Sequence, residues 1–170
     1  INKKYNVEWV KIEDHDPDED TMRYEGMDKG ATPFARPEGM ISDGNDIFIC
    51  CTSGGPLKKG QIWKLTSQSS KENHIELWYE VGDHRSLNMP DNITIAPWGD
   101  LIVCEDNSDM NRLWGITAKG KPYLIAENSY TGSEFAGVCF SPTDNNTMFV
   151  NIQGNGITLS IDGDCNKVAI

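Results

Sequence analysis

At 170 residues the chain has room for one domain with a modest core. Twenty-six acidic against fifteen basic side chains leave a net charge of −11, a field that argues against nucleic acid as a partner and suits multivalent cations. No run of eighteen apolar residues is present and no basic stretch leads into an apolar one, so neither a membrane span nor an export signal is visible.

Residues 1–30 carry no sustained period and read as an acidic segment or linker. Within them "DHDPDEDTMRYE" (14–25) has acids at loop positions 1, 3, 5, 7 and 12 of a calcium-binding loop. Glu19 stands where that loop needs glycine and Pro17 is out of place, so the stretch reads as a solvated acidic run instead.

From residue 31 alternation and turn signals replace any helical period. "GMISDGNDIFICCT" is a strand, an Asp-Gly turn and a second strand. "NITIAPWGDLIVCED" repeats it around Pro97-Trp98-Gly99-Asp100, and "GVCFSPTDNNTMFVN" (137–151) repeats it again. Third strands follow each hairpin: "GQIWKL" (60–65), "NRLWGIT" (111–117) and "NGITLSI" (155–161). Two copies add a fourth, "HIELWYEV" (74–81) and "KPYLIAEN" (121–128). The start-to-start spacings, Gly39 to Asn92 to Gly137, are 53 and 45 residues, which is the period of a β-propeller blade. The fold expected is all-β: residues 31–170 as a partial propeller, with blades starting near 37, 90 and 135. Three blades cannot close. With Ile1 in place of a Met start and "CNKVAI" ending without a capping strand, they are expected to belong to a longer propeller.

Charges stand at the mouths of these strands, where a buried strand would normally begin on an uncharged turn residue. Glu38 and Asp91 fall at equivalent positions of the innermost strands, and the third copy has Ala136 there. Carboxylates converging on one axis repel, so they need a metal or protons between them. Glu38, Asp91, Asn92, Glu105 and Asp106 are hard oxygen donors of the kind that suits calcium or magnesium. Arg36, two residues before Glu38, shares its face on an extended chain. It either pairs with a neighbouring acid or addresses a phosphate or carboxylate substrate.

Of the five cysteines, Cys50, Cys104 and Cys139 sit in strand-like apolar runs and are expected to be reduced and buried; Cys51 and Cys165 complete an odd count with no CxxC. His15, His74 and His84 share no zinc-type spacing, and there is no nucleophile elbow, phosphate-binding loop or dinucleotide fingerprint.

The ordered set "FARPEGM", "GQIWKL", "PDNITIAPWGDLIVCED", "EFAGVCFSP" and "MFVNIQGNGITLSI" resembles the C-terminal half of PhoX-type alkaline phosphatases over residues 31–161. The resemblance implies the later half of a six-bladed propeller and hydrolysis of phosphate monoesters at a cluster of ferric iron and calcium ions in the channel mouth. It implies Arg36 as the catalytic, phosphate-binding residue. Glu38 would be a metal ligand, with Glu105 or Asp106 another; Asp91 and Asn92 match the "PDN" motif. The family's iron-binding cysteine lies upstream of Ile1, so iron would be held partly by residues outside this chain. Inorganic phosphate is the implied product and a periplasmic or secreted location the implied compartment. A calcium-dependent gluconolactonase-like hydrolase is the alternative enzyme, although a neutral lactone does not call for Arg36. A non-catalytic interaction module would show exposed aromatics, not acids, on the channel face.

Overall fold

The computed structural model describes residues 1, 3–67, 73–82 and 86–163. His84 and Cys165 lie outside the described residues. The protein is all-β, with three antiparallel sheets.

The first sheet holds β2 (Pro37–Ser42), β3 (Asp46–Cys51), β4 (Gln61–Ser67) and β5 (Asn73–Glu80) in sequence order. The second runs β6 (Pro90–Ile95), β7 (Leu101–Glu105), β8 (Arg112–Ile116) and β9 (Pro122–Glu127). The third has β10 (Phe135–Phe140), β11 (Met148–Ile152) and β12 (Ile157–Ile161). Each first hairpin closes with the same backbone bond, from the N–H of Asp43, Ala96 and Ser141 to the carbonyl of Asp46, Asp100 and Thr147. That common closure fixes the register of all three copies and confirms the repeat read from the alternation.

The first thirty residues are more structured than an acidic linker. β1 (Lys4–Asn6) adds a fifth strand beyond β5, with Tyr5 opposite Ile75, and so covers the edge of the first sheet. A short helix, α1 (Met22–Asp28), overlaps the acidic run. Glu25, the twelfth residue of that run, is engaged there: its carboxylate accepts the N–H groups of Glu13 (2.7 Å) and Asp14 (3.3 Å) and pairs with Lys29. The backbone bond from Glu13 contributes most to holding its carboxyl down at about 2.

The core lies between the sheets, with the second sheet buried on both faces. Leu101 and Val103 of β7 pack with Phe48, Cys50, Ile62 and Trp114 on one side. Ile102 and Cys104 pack with Leu113, Val138, Met148 and Val150 on the other. A strand buried on both faces reads as an unbroken apolar run, and "LIVC" is that run. Each such side chain contributes roughly 1.5–3 kcal/mol by leaving water. Cys50 and Cys104 are buried as expected, but Cys139 is exposed. A register shift between Ala136 and Cys139 turns Val138 into the core and leaves its neighbour outside.

Candidate metal centre

The three first strands lie side by side, β6 packing on β2 and on β10. Each starts with the same irregularity, a register shift between Pro37 and Met40, Pro90 and Ile93, and Ala136 and Cys139. The carbonyls of Arg36, Met89 and Glu134 accept the N–H of Thr52, Asp106 and Gln153, the residue that follows each second strand. Arg36, Met89 and Glu134 are therefore structural equivalents. Arg36 and Met89 are left-handed, with φ of 50° and 52°. That conformation costs of order 1–3 kcal/mol in a residue with a side chain, and such strain concentrates at functional sites.

At this end of the sheets the approach is close. A Cβ on Gly39 would fall 2.3 Å from the Asp91 carbonyl oxygen. The Asn92 side-chain oxygen accepts the N–H of Val138 at 3.0 Å and ties β6 to β10.

Four acids and one arginine meet here. Arg36 donates through Nη2 to Asp106 Oδ2 at 2.8 Å and to Glu38 Oε1 at 3.4 Å. Carboxylate oxygens of Asp91, Asp106 and Glu134 lie within 4.8 Å of one another, all three side chains half-buried. Burial, then the charges of Glu38 and Asp106, raise the Asp91 carboxyl above its ordinary range. Burial and the facing Asp106 carboxylate push Glu134 up to about 7. The Asp106 hydrogen bond raises the Arg36 guanidinium, which stays charged at any working pH.

Of the residues singled out in the sequence, Arg36, Glu38, Asp91 and Asp106 come together. Asn92 lies beside them, its side-chain oxygen engaged by Val138. Glu105 is turned away. It follows Leu101 and Val103 in parity, is fully buried, and accepts the Asn88 N–H (2.9 Å) and the Trp114 indole N–H (2.8 Å) through Oε1. Burial pushes its carboxyl up to about 7, and Oε2 has no hydrogen-bond partner among the described residues. Glu134 is not among the residues the sequence singles out, because alignment on Glu38 and Asp91 puts Ala136 in its place. The usable signal was its offset: it stands where Arg36 stands in the first copy.

Residues 1–156 match the family alkaline phosphatase PhoX. The chain belongs to that family. No curated protein matches it. PhoX membership places the protein among alkaline phosphatase-type hydrolases and covers all five cluster residues together with the first thirty. The cluster fits a metal of the hard, oxygen-seeking class: three carboxylate oxygens converge, two of the acids are held above their ordinary ionisation range, and among the described residues Arg36 alone pairs with them. Calcium tolerates such irregular oxygen sets better than magnesium, which demands near-ideal octahedral geometry. Among the described residues no helix is long and apolar enough to cross a membrane.

Proposed function

We propose that this chain is part of a metal-dependent phosphatase that hydrolyses phosphate monoesters at the end of the sheets where β2, β6 and β10 begin. In this reading the three sheets are successive blades of a six-bladed propeller. The side-by-side packing of the three first strands supports it, because innermost strands converge on a channel. Asp91, Asp106 and Glu134 hold calcium, with Glu38 beside them. Ferric iron takes part of its ligands from outside this chain. The compartment proposed from the family is the periplasm or the exterior of the cell.

The observation that carries the reading is Arg36 standing over the carboxylate triad. Bound there, the cations supply the positive charge that lets a phosphoryl dianion approach an acidic wall and that draws electron density from phosphorus. The protein's part is binding and orientation. Among the described residues Arg36 uses only Nη2 for its two ion pairs, which leaves the remaining N–H groups of the fork for phosphoryl oxygens. Asp106 fixes the guanidinium plane while Glu38 lies at longer range. The attacking oxygen needs no protein nucleophile, consistent with two well-buried thiols, Cys50 and Cys104, that burial keeps protonated.

Arg36→Ala in the full-length protein tests this. Losing a charge-assisted contact worth about 2–3 kcal/mol should weaken inorganic phosphate inhibition and raise KM for phosphomonoesters by roughly 30- to 100-fold. Metal content should stay unchanged, and Arg36→Lys should recover only part of the loss. Unaltered phosphate inhibition in Arg36→Ala, with a lactone hydrolysed, would hand the site to the gluconolactonase-type reaction.

A further inference from the structure

Two buried asparagines lie behind the metal centre. Asn111 is 1% exposed and Asn128 6%. The Asn111 side chain accepts the N–H of Asn107 at 2.6 Å and donates to the carbonyls of Asn107 (3.0 Å) and Gly132 (2.9 Å). Its own carbonyl accepts the N–H of Asn128 at 2.9 Å. Asn128 in turn accepts the N–H groups of Tyr130 and Thr131 through Oδ1 and donates to the Ser133 carbonyl at 2.7 Å.

The sequence positions give these bonds their meaning. Asn107 directly follows Asp106; Gly132 and Ser133 directly precede Glu134. The far sides of both acids are already pinned, Asp106 N–H to Met89 and the Glu134 carbonyl to Gln153 N–H. A single carboxamide, Asn111, thus bridges the backbone next to Asp106 and the backbone two residues before Glu134, while Asn128 holds the carbonyl of the residue between. Both its donor hydrogens and its acceptor oxygen are used. An aspartate in its place would keep the acceptor and lose both donors.

We infer that Asn111, with Asn128 behind it, is a positioning pair that sets the separation of Asp106 and Glu134 and thereby the calcium affinity of the cluster. The inference rests on the reading of that cluster as a calcium site. Neither asparagine touches the ion; each acts through backbone it holds. Groups that orient metal ligands from outside the coordination sphere are typically worth 10- to 100-fold in affinity.

The test is calcium chloride titrated calorimetrically into the full-length protein and its Asn111→Asp, Asn128→Asp and Glu134→Gln variants, with unfolding of each followed without metal. Asn111→Asp is expected to raise the calcium Kd about 10-fold or more. Terbium bound in place of calcium should show a shorter luminescence lifetime in that variant, as water replaces a displaced carboxylate oxygen. A purely structural asparagine would lower the unfolding midpoint and leave both the Kd and the lifetime of the folded protein unmoved, which overturns the inference. If Asn111→Asp does not accumulate as folded protein, Asn128→Asp carries the test, because it keeps the bonds from Tyr130 and Thr131 N–H and loses those to the Ser133 carbonyl and the Thr131 hydroxyl; an unchanged Kd there is equally fatal. Glu134→Gln separates the two levels. Weaker calcium in Glu134→Gln with no change in the asparagine variants sinks the positioning role alone, whereas unchanged calcium in Glu134→Gln sinks the metal site and the inference with it.

Discussion

The two ends of the sheets use the same chemical group in opposite ways. At the hairpin end, Asp43 accepts the N–H groups of Asn45 and Asp46, at 2.8 and 2.7 Å. Asp144 accepts those of Asn146 and Thr147, both at 3.0 Å. Asp100 accepts the Trp98 indole N–H (3.0 Å) and the Tyr123 hydroxyl (2.9 Å). These backbone bonds lower the carboxyls of Asp43 and Asp144. At the other end, among the described residues, no backbone N–H reaches the side chains of Asp91 or Glu134, and both are raised. An acid given donors serves as structural glue; acids left facing one another repel, which is the arrangement the proposed cation would relieve.

The largest effect that could break this contrast is at Asp106, which both belongs to the triad and anchors Arg36. Asp106→Asn should lower calcium affinity and phosphatase activity by at least about 100-fold, read by titration and by turnover. Normal activity in that variant would remove Asp106 from the site. At the hairpin end, Asp100→Ala should cost about 2–3 kcal/mol of stability by denaturant unfolding, since two partly buried donors lose a charged acceptor. Calcium binding there should not change, and a coupled loss would show that the two ends are not independent.

Glu134→Gln sharpens the contrast through its sign. Removing one of three repelling charges should raise the stability of the metal-free protein, by less than about 1 kcal/mol given solvent screening, while Asp144→Asn lowers it. The smallest effect is a pH dependence. Asp43 and Asp144 ionise below their ordinary range in the folded protein, so their stabilisation is present above the unfolded value of 3.8 and fades as pH falls through the lower folded values. Unfolding of Asp43→Asn/Asp144→Asn should therefore depend less on pH on the acid side of 4 than that of the parent chain; parallel curves would deny these bonds any role.

The repeat was legible because two-residue alternation and turn residues are local signals, and three copies of one pattern reinforce one another. So was the nearness of Arg36 and Glu38 to Asp91, once equivalent strand starts were aligned, whereas the "CED" stretch left Glu105 and Asp106 undecided. Glu105 could have been placed by parity: counted with Leu101 and Val103, it belongs to the core, and acidity alone misled. Glu134 required the backbone. Its offset matches that of Arg36, but only the shared carbonyl bond of Arg36, Met89 and Glu134 shows that this offset, and not that of Glu38, is the one that counts. β1 was invisible for a different reason. Its three residues are exposed, so nothing alternates, and only the edge of β5 makes them a strand.

Gly39 and Met40 are neighbours in β2 with opposite mutational freedom. The Met40 side chain projects outward and is 64% exposed, whereas a Cβ one residue earlier would strike the backbone of β6 at Asp91. The space between the two strands at this point thus admits no side chain, and it lies close in sequence to Arg36, which pairs with Asp106. In a saturation library scored for phosphatase activity, position 39 should prove as unforgiving as a ligand although it contacts no ion. Position 40 should accept almost any side chain. Tolerance here is gauged by clearance between main chains, and a map of charges alone would not show it.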